Sequence, residues 1–228
     1  MTPTDLPTAR FSLWQVIAYG APGLPLALMG IPLYVYLPPF YANELGLGLA
    51  AVGLALMLTR LWDVITDPLV GYLSDRVPGR HRRKALMGAG IPLLIVSLWF
   101  LLRPGGEVGL WHLYLWGLAA FLGWTMIQLP YTSLGAEADP SPHGRTRLAA
   151  SREGLALVGT VFAAALPILI GTEQPGAVLA AVFWMMALLL PAAFVVMALG
   201  APEPARHHQV IDWRRGWPLL AGNRRLRA

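Results

Sequence analysis

Long apolar stretches separated by short polar segments dominate the chain. Six stretches are long enough to cross a bilayer core, which needs about 20 helical residues; they cover residues 11–40, 47–75, 85–103, 111–134, 151–171 and 176–200. The intervening segments are rich in glycine, proline, asparagine and charge, as turns are: YANELGLG, RVPGRHRRK, RPGGEVG, GAEADPSPHGRTR and GTEQPG. The pattern predicts an all-α membrane protein, with a six-helix bundle over residues 11–200 between a short segment (1–10) and a basic tail (201–228).

The first stretch is longer than a single span requires and contains five prolines: Pro22, Pro25, Pro32, Pro38 and Pro39. Each proline inside a helix removes a backbone hydrogen-bond donor. We therefore expect a kinked or broken first helix. The aromatic residues near the last of these prolines, Tyr34, Tyr36, Phe40 and Tyr41, suit an aromatic belt at the membrane interface better than platforms for a substrate.

The composition supports the membrane class and limits the chemistry. Of the 228 residues, 56% are hydrophobic and 13% charged, and the mean hydropathy is +0.56, which is outside the range of ordinary soluble domains. The net charge of +5 does not indicate nucleic acid, because the basic residues stand at the ends of apolar segments. The chain has no cysteine, so disulfides, thiol catalysis and cysteine-based metal sites are excluded.

The basic residues are distributed asymmetrically between alternate loops, and this predicts the orientation in the membrane. Short loops rich in lysine and arginine stay in the cytoplasm. With the N-terminus inside, the cytoplasmic segments hold Arg10, five basic residues within 76–84, Arg145, Arg147 and six arginines after residue 200, whereas the opposite loops hold only Arg103. We expect a multi-pass protein of the cell membrane, the bacterial plasma (inner) membrane, with both termini cytoplasmic.

Three ionisable residues lie within the second apolar segment: Arg60, Asp63 and Asp67. A charge at mid-bilayer costs about 2.5–3.5 kcal/mol on insertion scales, so such residues need partners or water. Their spacing places all three on one helical face. One interpretation is a structural Arg60–Asp63 ion pair. The other is a cation site, because two carboxylates one turn apart can take up a proton or offer several oxygens to a hard cation such as Na⁺.

The segment that follows, GYLSDRVPGRHRRK, carries a glycine, Gly71, that would permit close helix approach, and then a run of basic residues. The pattern G-x-x-x-D-R-x-x-G-R-x-x-R resembles the cytoplasmic signature loop of the major facilitator superfamily. The longer RLWDVITDPLVGYLSDR is similar to the glycoside-pentoside-hexuronide:cation symporters, the melibiose permease-like branch, and the similarity continues through residues 123–139 and 145–159.

The resemblance implies a cation-coupled secondary transporter of a sugar or another small organic solute. It places the coupling ion, H⁺ or Na⁺, at Asp63 and Asp67 with the fourth helix, and it implies no other cofactor. It assigns substrate contact to Arg152, for which the alternative is a pair with Glu153 at a helix start at the membrane boundary. The signature-loop positions, which in the family stabilise one conformational state, are Asp75, Arg76, Gly79 and Arg80, after Gly71.

Two positions on the fourth helix depart from the family pattern. Gln128 stands where an aspartate of the cation site is expected, and Thr132 stands where a sugar-stacking tryptophan is expected. The loss of a carboxylate favours H⁺ over Na⁺, and the loss of the tryptophan favours a different sugar or a more amphipathic solute. Gln128 and Thr132 share a helical face with Trp124 or Thr125. This face either lines the cavity, with Gln128 at the cation and with Thr132 and Trp124 at the substrate, or forms hydrogen bonds between helices.

The family implies twelve helices in two halves, each an inverted three-plus-three repeat. The six segments correspond to the N-terminal half, and transport then requires a C-terminal half or a second chain. Two other functions fit parts of the sequence. One is a non-transporting membrane scaffold. The other is an Mg²⁺-dependent prenyltransferase-like enzyme, for which DVITD has the spacing but a second acidic motif is missing.

Overall fold

A computed structural model describes residues 11–76, 81–106, 108–139 and 141–201. The predicted N-terminal segment (1–10), all of the basic tail except its first residue, Ala201, and two signature-loop residues, Gly79 and Arg80, lie outside this range. Asp75 and Arg76 end a helix, but their side chains are also outside the described part.

Helices account for nearly all of these residues, and no strand occurs among them. In chain order they are α1 (Leu13–Gly20), α2 (Gly23–Val35), α3 (Leu37–Pro39), a π-helical turn (Phe40–Glu44), α4 (Leu49–Arg76), α5 (Arg82–Leu102), α6 (Leu110–Ala138), α7 (Pro142–Ile170) and α8 (Pro175–Gly200). Together α1 and α2 form one apolar span, and α4 to α8 form five more. The predicted all-α fold with six spans is confirmed.

The first span is broken, as its prolines predict. A capping box between Ser12 and Gln15 starts α1, and α1 ends at Gly20. Pro22 then precedes α2, because a ring without an N–H is tolerated at a helix start but not inside the preceding helix.

The junction between the fourth and fifth spans differs from the sequence prediction. The predicted loop at 135–147 is wrong, since α6 continues to Ala138 and α7 begins at Pro142. The Ser141 hydroxyl accepts a hydrogen bond from the Gly144 amide at 3.1 Å, and Pro142 occupies the first helical turn. The fifth helix therefore begins nine residues earlier than its apolar stretch, with a polar first part.

The helices pack in a pattern that repeats after three spans. The first span packs against the fifth span, α7, and the fourth span, α6, packs in the same way against the second span, α4. Likewise, the third span, α5, packs against α6, and the sixth span, α8, packs against the first span. The remaining main contact joins α5 to α8, which are equivalent to each other in this scheme. Exchanging spans one to three with spans four to six therefore reproduces the contacts, which is the arrangement of an inverted three-plus-three repeat.

A reciprocal tyrosine pair lies where the first and fourth spans cross. The Tyr19 hydroxyl donates to the Tyr131 carbonyl at 3.1 Å, and the Tyr131 hydroxyl donates to the Tyr19 carbonyl at 2.8 Å. Gly23 and Gly135 each stand four residues after one of these tyrosines, and a Cβ on Gly135 would collide with the Tyr19 ring. The motif Tyr-x-x-x-Gly therefore occurs at equivalent positions of the first and fourth spans, and it is a sequence signal of the internal repeat.

The predicted aromatic belt is only partly correct. Phe40 and Tyr41 are buried in the core, and the Tyr41 hydroxyl donates to the Leu101 carbonyl at 2.8 Å. Burial raises the pKa of the Tyr41 phenol, because the charged form is poorly solvated there. Tyr34 is exposed and contacts Arg60.

Basic residues at the start of α5 join several helix ends. Arg83 is buried and forms a two-point ion pair with Glu137 of α6, with Nε 2.8 Å from Oε2, and it also donates to Ser74 of α4 at 3.3 Å. Lys84 donates to the Ala198 carbonyl at 3.0 Å, near the end of α8, where a cation complements the helix dipole. These contacts fix the relative positions of four helices.

Candidate cation and substrate site

The helix that carries the predicted cation residues is among the least covered in the bundle. Within an apolar 18-residue stretch of each span, only 22% of α4 is buried inside the bundle, against 61% of the first span. Large side chains such as Val64 and Ile65 are exposed on its surface. The surface of such a helix is left for contact with lipid, a solute or a neighbouring protein surface.

Arg60 and Asp63 form an ion pair, with Nη1 3.6 Å from Oδ2. The second oxygen of Asp63, Oδ1, is buried and has no hydrogen-bond partner among the described residues. A buried carboxylate oxygen without a partner can accommodate a water, a proton or a cation, and one other such oxygen, Asp139 Oδ2, occurs among the described residues.

Asp67 accepts a hydrogen bond from Thr125, one of the two residues predicted to share a helical face with Gln128. The Thr125 hydroxyl of α6 donates to Asp67 Oδ1 at 2.9 Å, and Thr125 is nearly fully buried. The interaction joins α4 to α6, the two elements between which the resemblance places the coupling ion. A threonine three residues before Gln128 was the available signal.

The other predicted residues of α6 make no direct contact with the carboxylates. The Gln128 side chain makes no hydrogen bond within the part of the chain that is described. The Thr132 hydroxyl donates to its own helix, to the carbonyls of Gln128 at 3.1 Å and Leu129 at 3.0 Å. Cation binding by Gln128 and substrate binding by Thr132 therefore stay predictions.

Arg152 lies well inside α7 and not at a helix start, so the alternative of a boundary pair is wrong. Its guanidinium forms an ion pair with Glu153, with Nη2 2.6 Å from Oε1. Its backbone lies against Gly23, where an added Cβ would come within 2.7 Å of the Arg152 carbonyl oxygen. Substrate contact by Arg152 stays a prediction.

Gly71 does not mediate a close helix contact, contrary to the prediction. A Cβ added there would meet no other described atom within 4 Å. The close approaches lie elsewhere: an added Cβ on Gly90 would come within 2.9 Å of Met126, and one on Gly123 within 2.8 Å of the Leu94 amide nitrogen. These glycines bring α5 and α6 together.

Arg60 also borders a cavity of about 320 Å³ between the first span, α4 and α6. Its guanidinium carbon lies 4.8 Å from the centre of the Tyr34 ring and 4.4 Å from the centre of the Phe121 ring. Trp124 is the only one of the three predicted substrate residues that lines this cavity.

Metal coordination at the aspartates would need oxygens beyond acidic side chains. Among the described residues, no group of three or more histidine, aspartate or glutamate side chains is placed to hold a metal. The carboxylates of Asp63 and Asp67 and the Thr125 hydroxyl are hard oxygen donors, which suits Na⁺ in chemical type. Na⁺ at this site stays a prediction, as does H⁺.

Comparison with known proteins agrees with this architecture. Residues 18–228 match the family model described as MFS/sugar transport protein. The chain is 32% identical to an uncharacterized symporter of Synechocystis sp. over 70% of its length, and 31% identical to a glucuronide carrier protein homolog of Escherichia coli over 52%. It is 27% identical to a sodium-dependent lysophosphatidylcholine symporter of Danio rerio over 68%.

The match to these relatives is partial on their side. It covers 31% of the Synechocystis protein, 27% of the Escherichia coli protein and 30% of the Danio rerio protein, so the chain spans about a third of their length. The resemblance to facilitator-type symporters is confirmed, and the prenyltransferase-like alternative is set aside, because the family consists of transporters. The chain is a multi-pass membrane protein that belongs to the MFS/sugar transport family.

Proposed function

We propose that the chain is the N-terminal six-helix part of a cation-coupled symporter, with the coupling cation bound at Asp63 and Asp67. The observation that carries this proposal is the buried Oδ1 of Asp63, which lacks a hydrogen-bond partner among the described residues while Oδ2 pairs with Arg60. A proton or Na⁺ at Oδ1 would satisfy an atom that is otherwise costly to bury.

The geometry suggests how a cation could communicate with a solute. Neutralising Asp63 weakens its attraction to Arg60, because a distance of 3.6 Å gives a strong Coulomb interaction only while both groups are charged. Arg60 borders the cavity, so its guanidinium then becomes available to a solute there. Binding of the cation would thus favour binding of the solute, as symport requires.

We propose that the solute is a sugar or another small organic molecule. The relatives' names include a glucuronide carrier and a lysophosphatidylcholine symporter, so a sugar and a more amphipathic solute are both represented. A second six-helix part, or a second chain, would complete the transporter, since the family uses two halves. The proposed location is the bacterial inner membrane. The arginine asymmetry supports an orientation with both termini in the cytoplasm.

The test is a cation titration of the 228-residue chain in lipid nanodiscs. Na⁺ is added against choline at constant ionic strength, and proton uptake is followed in a separate pH titration. We expect Asp63→Asn and Asp67→Asn to weaken binding of the coupling cation at least tenfold, and the matched control Glu173→Gln, in the loop between α7 and α8, to leave it unchanged. Unaltered binding in both aspartate variants, with normal helicity, would contradict the proposal and favour the non-transporting scaffold.

A further inference from the structure

Three of the residues that line the cavity have side chains able to donate hydrogen bonds. They are Arg60, Trp124 and Tyr34. Arginine and tryptophan side chains can only donate, and tyrosine can do both. Among the described residues, no carboxylate or amide side chain lines the cavity, and Asp63 and Asp67 are not part of its lining. A ligand that pairs with these side chains therefore presents acceptors.

The rest of the lining is apolar and comes from five helical elements, α2 to α6. The list comprises Met29, Gly30, Leu33, Leu37, Pro38, Leu56, Met57, Leu101, Gly117 and Phe121. A volume of about 320 Å³ is roughly ten times the ~30 Å³ that a water molecule occupies in the liquid. Such walls reward the burial of methylene groups, at about 0.8 kcal/mol each, and offer a sugar ring few partners for its hydroxyls.

The guanidinium of Arg60 is held at the edge of this apolar space by contacts on several sides. The Tyr34 and Phe121 rings contact the guanidinium from two different helices, and its described ion pair uses one nitrogen, Nη1. Since arginine has five N–H donors in a planar fork, the remaining donors suit a carboxylate or phosphate, which accepts in pairs.

We propose that this cavity binds a single-chain amphiphile with an anionic head group: the alkyl or acyl chain lies along the walls formed by Leu33 and Met57, and the head group meets Arg60. Only one part of this proposal, that the amphiphile is the transported solute, rests on the proposed transport function. Binding itself needs no cation gradient and can be measured separately.

The probe is dibromostearate, a single-chain carboxylate whose bromines quench tryptophan fluorescence on contact. It is titrated into the 228-residue chain in nanodiscs of zwitterionic phosphatidylcholine, and the difference between the unmodified chain and Trp124→Phe isolates the signal of Trp124. Dibromostearyl alcohol is the matched neutral probe. For the unmodified chain we expect half-saturation at a concentration at least tenfold lower for the acid than for the alcohol.

Two variants separate the head-group contact from the walls. Arg60→Gln should remove the difference between acid and alcohol, and Leu33→Phe, which fills the cavity, should weaken both probes. The control Leu188→Phe makes the same change on an exposed part of α8 and should alter neither. If Arg60→Gln does not fold, the acid–alcohol comparison on the unmodified chain still decides the head-group preference.

Equal half-saturation for acid and alcohol would overturn the proposal, because it would show only passive entry of lipid chains. Displacement of the signal of Trp124 by methyl glucuronide, without preference for the acid probe, would also overturn it and favour a sugar. Neither result affects the cation titration of Asp63 and Asp67. Failure of the amphiphile proposal is therefore distinguishable from failure of the symport proposal.

Discussion

Two neighbouring helices, α4 and α5, both pack on α6, and they do so in opposite ways. Between α5 and α6, Gly90 and Gly123 bring the backbones together, and the buried Arg83 is paired at two points with Glu137. Between α4 and α6, the described polar contact is the bond from Thr125 to an exposed Asp67. The α5–α6 contact is close-packed, whereas the α4–α6 contact is open and polar.

The difference separates stability from binding. Close-packed interiors resist change in volume, and satisfied polar groups resist displacement, so α5–α6 suits a rigid support. An incompletely satisfied carboxylate beside a cavity has capacity for a ligand. Mutations in the first contact should therefore change stability, and mutations in the second should change binding.

The largest effect is expected from Glu137→Ala. Removal of this carboxylate takes the two-point partner from a buried guanidinium, and breaking buried ion pairs is strongly destabilising. Glu137 is partly exposed, so we expect a loss of about 2–3 kcal/mol, below the full range for buried pairs. Thermal unfolding in nanodiscs measures it, with Glu173→Ala as the control. Cation affinity of the folded fraction should be unchanged, and a tenfold loss of affinity would contradict the separation.

The next effect compares one substitution at two places on α6. A Cβ at Gly123 would lie 2.8 Å from the Leu94 backbone nitrogen, which cannot move without shifting α5, so Gly123→Ala should cost about 1–2 kcal/mol. A Cβ at Gly117 would meet only a methyl group of Thr59, at 3.1 Å, so Gly117→Ala should change stability by less than about 0.5 kcal/mol. The same unfolding assay tests both, and equal costs would refute the distinction between the contacts.

A small effect on stability is also expected from Thr125→Val, which keeps the volume and removes the hydroxyl. Asp67 is exposed enough for water to replace the lost hydrogen bond, so the cost should stay below about 1 kcal/mol. The effect on binding distinguishes the coupling ions. If Na⁺ uses the hydroxyl oxygen, its affinity should fall about fivefold or more, or ~1 kcal/mol. If the coupling ion is a proton, Na⁺ should not bind at this site, and a Na⁺ titration of Thr125→Val should match that of the unmodified chain.

The sequence predicted those features that depend on nearby residues. Hydropathy identified six spans because each needs only a continuous apolar stretch, and the proline content predicted the break before Pro22. The spacing of Arg60, Asp63 and Asp67 predicted their common face, and the Arg60–Asp63 pair is present. The start of α7 was not predicted, because residues 142–147 are polar and resemble a loop. The Ser141 cap and Pro142 nevertheless start a helix there.

Features that depend on how helices pack could not be predicted in the same way. The bond between Thr125 and Asp67 requires the relative rotation of α4 and α6, which a single sequence does not specify. The close contact at Gly123 and the open space at Gly71 likewise differ only in which neighbour each residue faces. Glycine frequency alone does not distinguish the two cases.

The reciprocal hydrogen bonds of Tyr19 and Tyr131 have a mechanical consequence. Each hydroxyl is held by the backbone of the other helix, so sliding either helix along its axis would break both bonds at once. Rotation about the crossing point, in contrast, keeps the two residues together. The pair would therefore act as a pivot, and a relative movement of the two repeats would appear as tilting of the helices around a fixed centre.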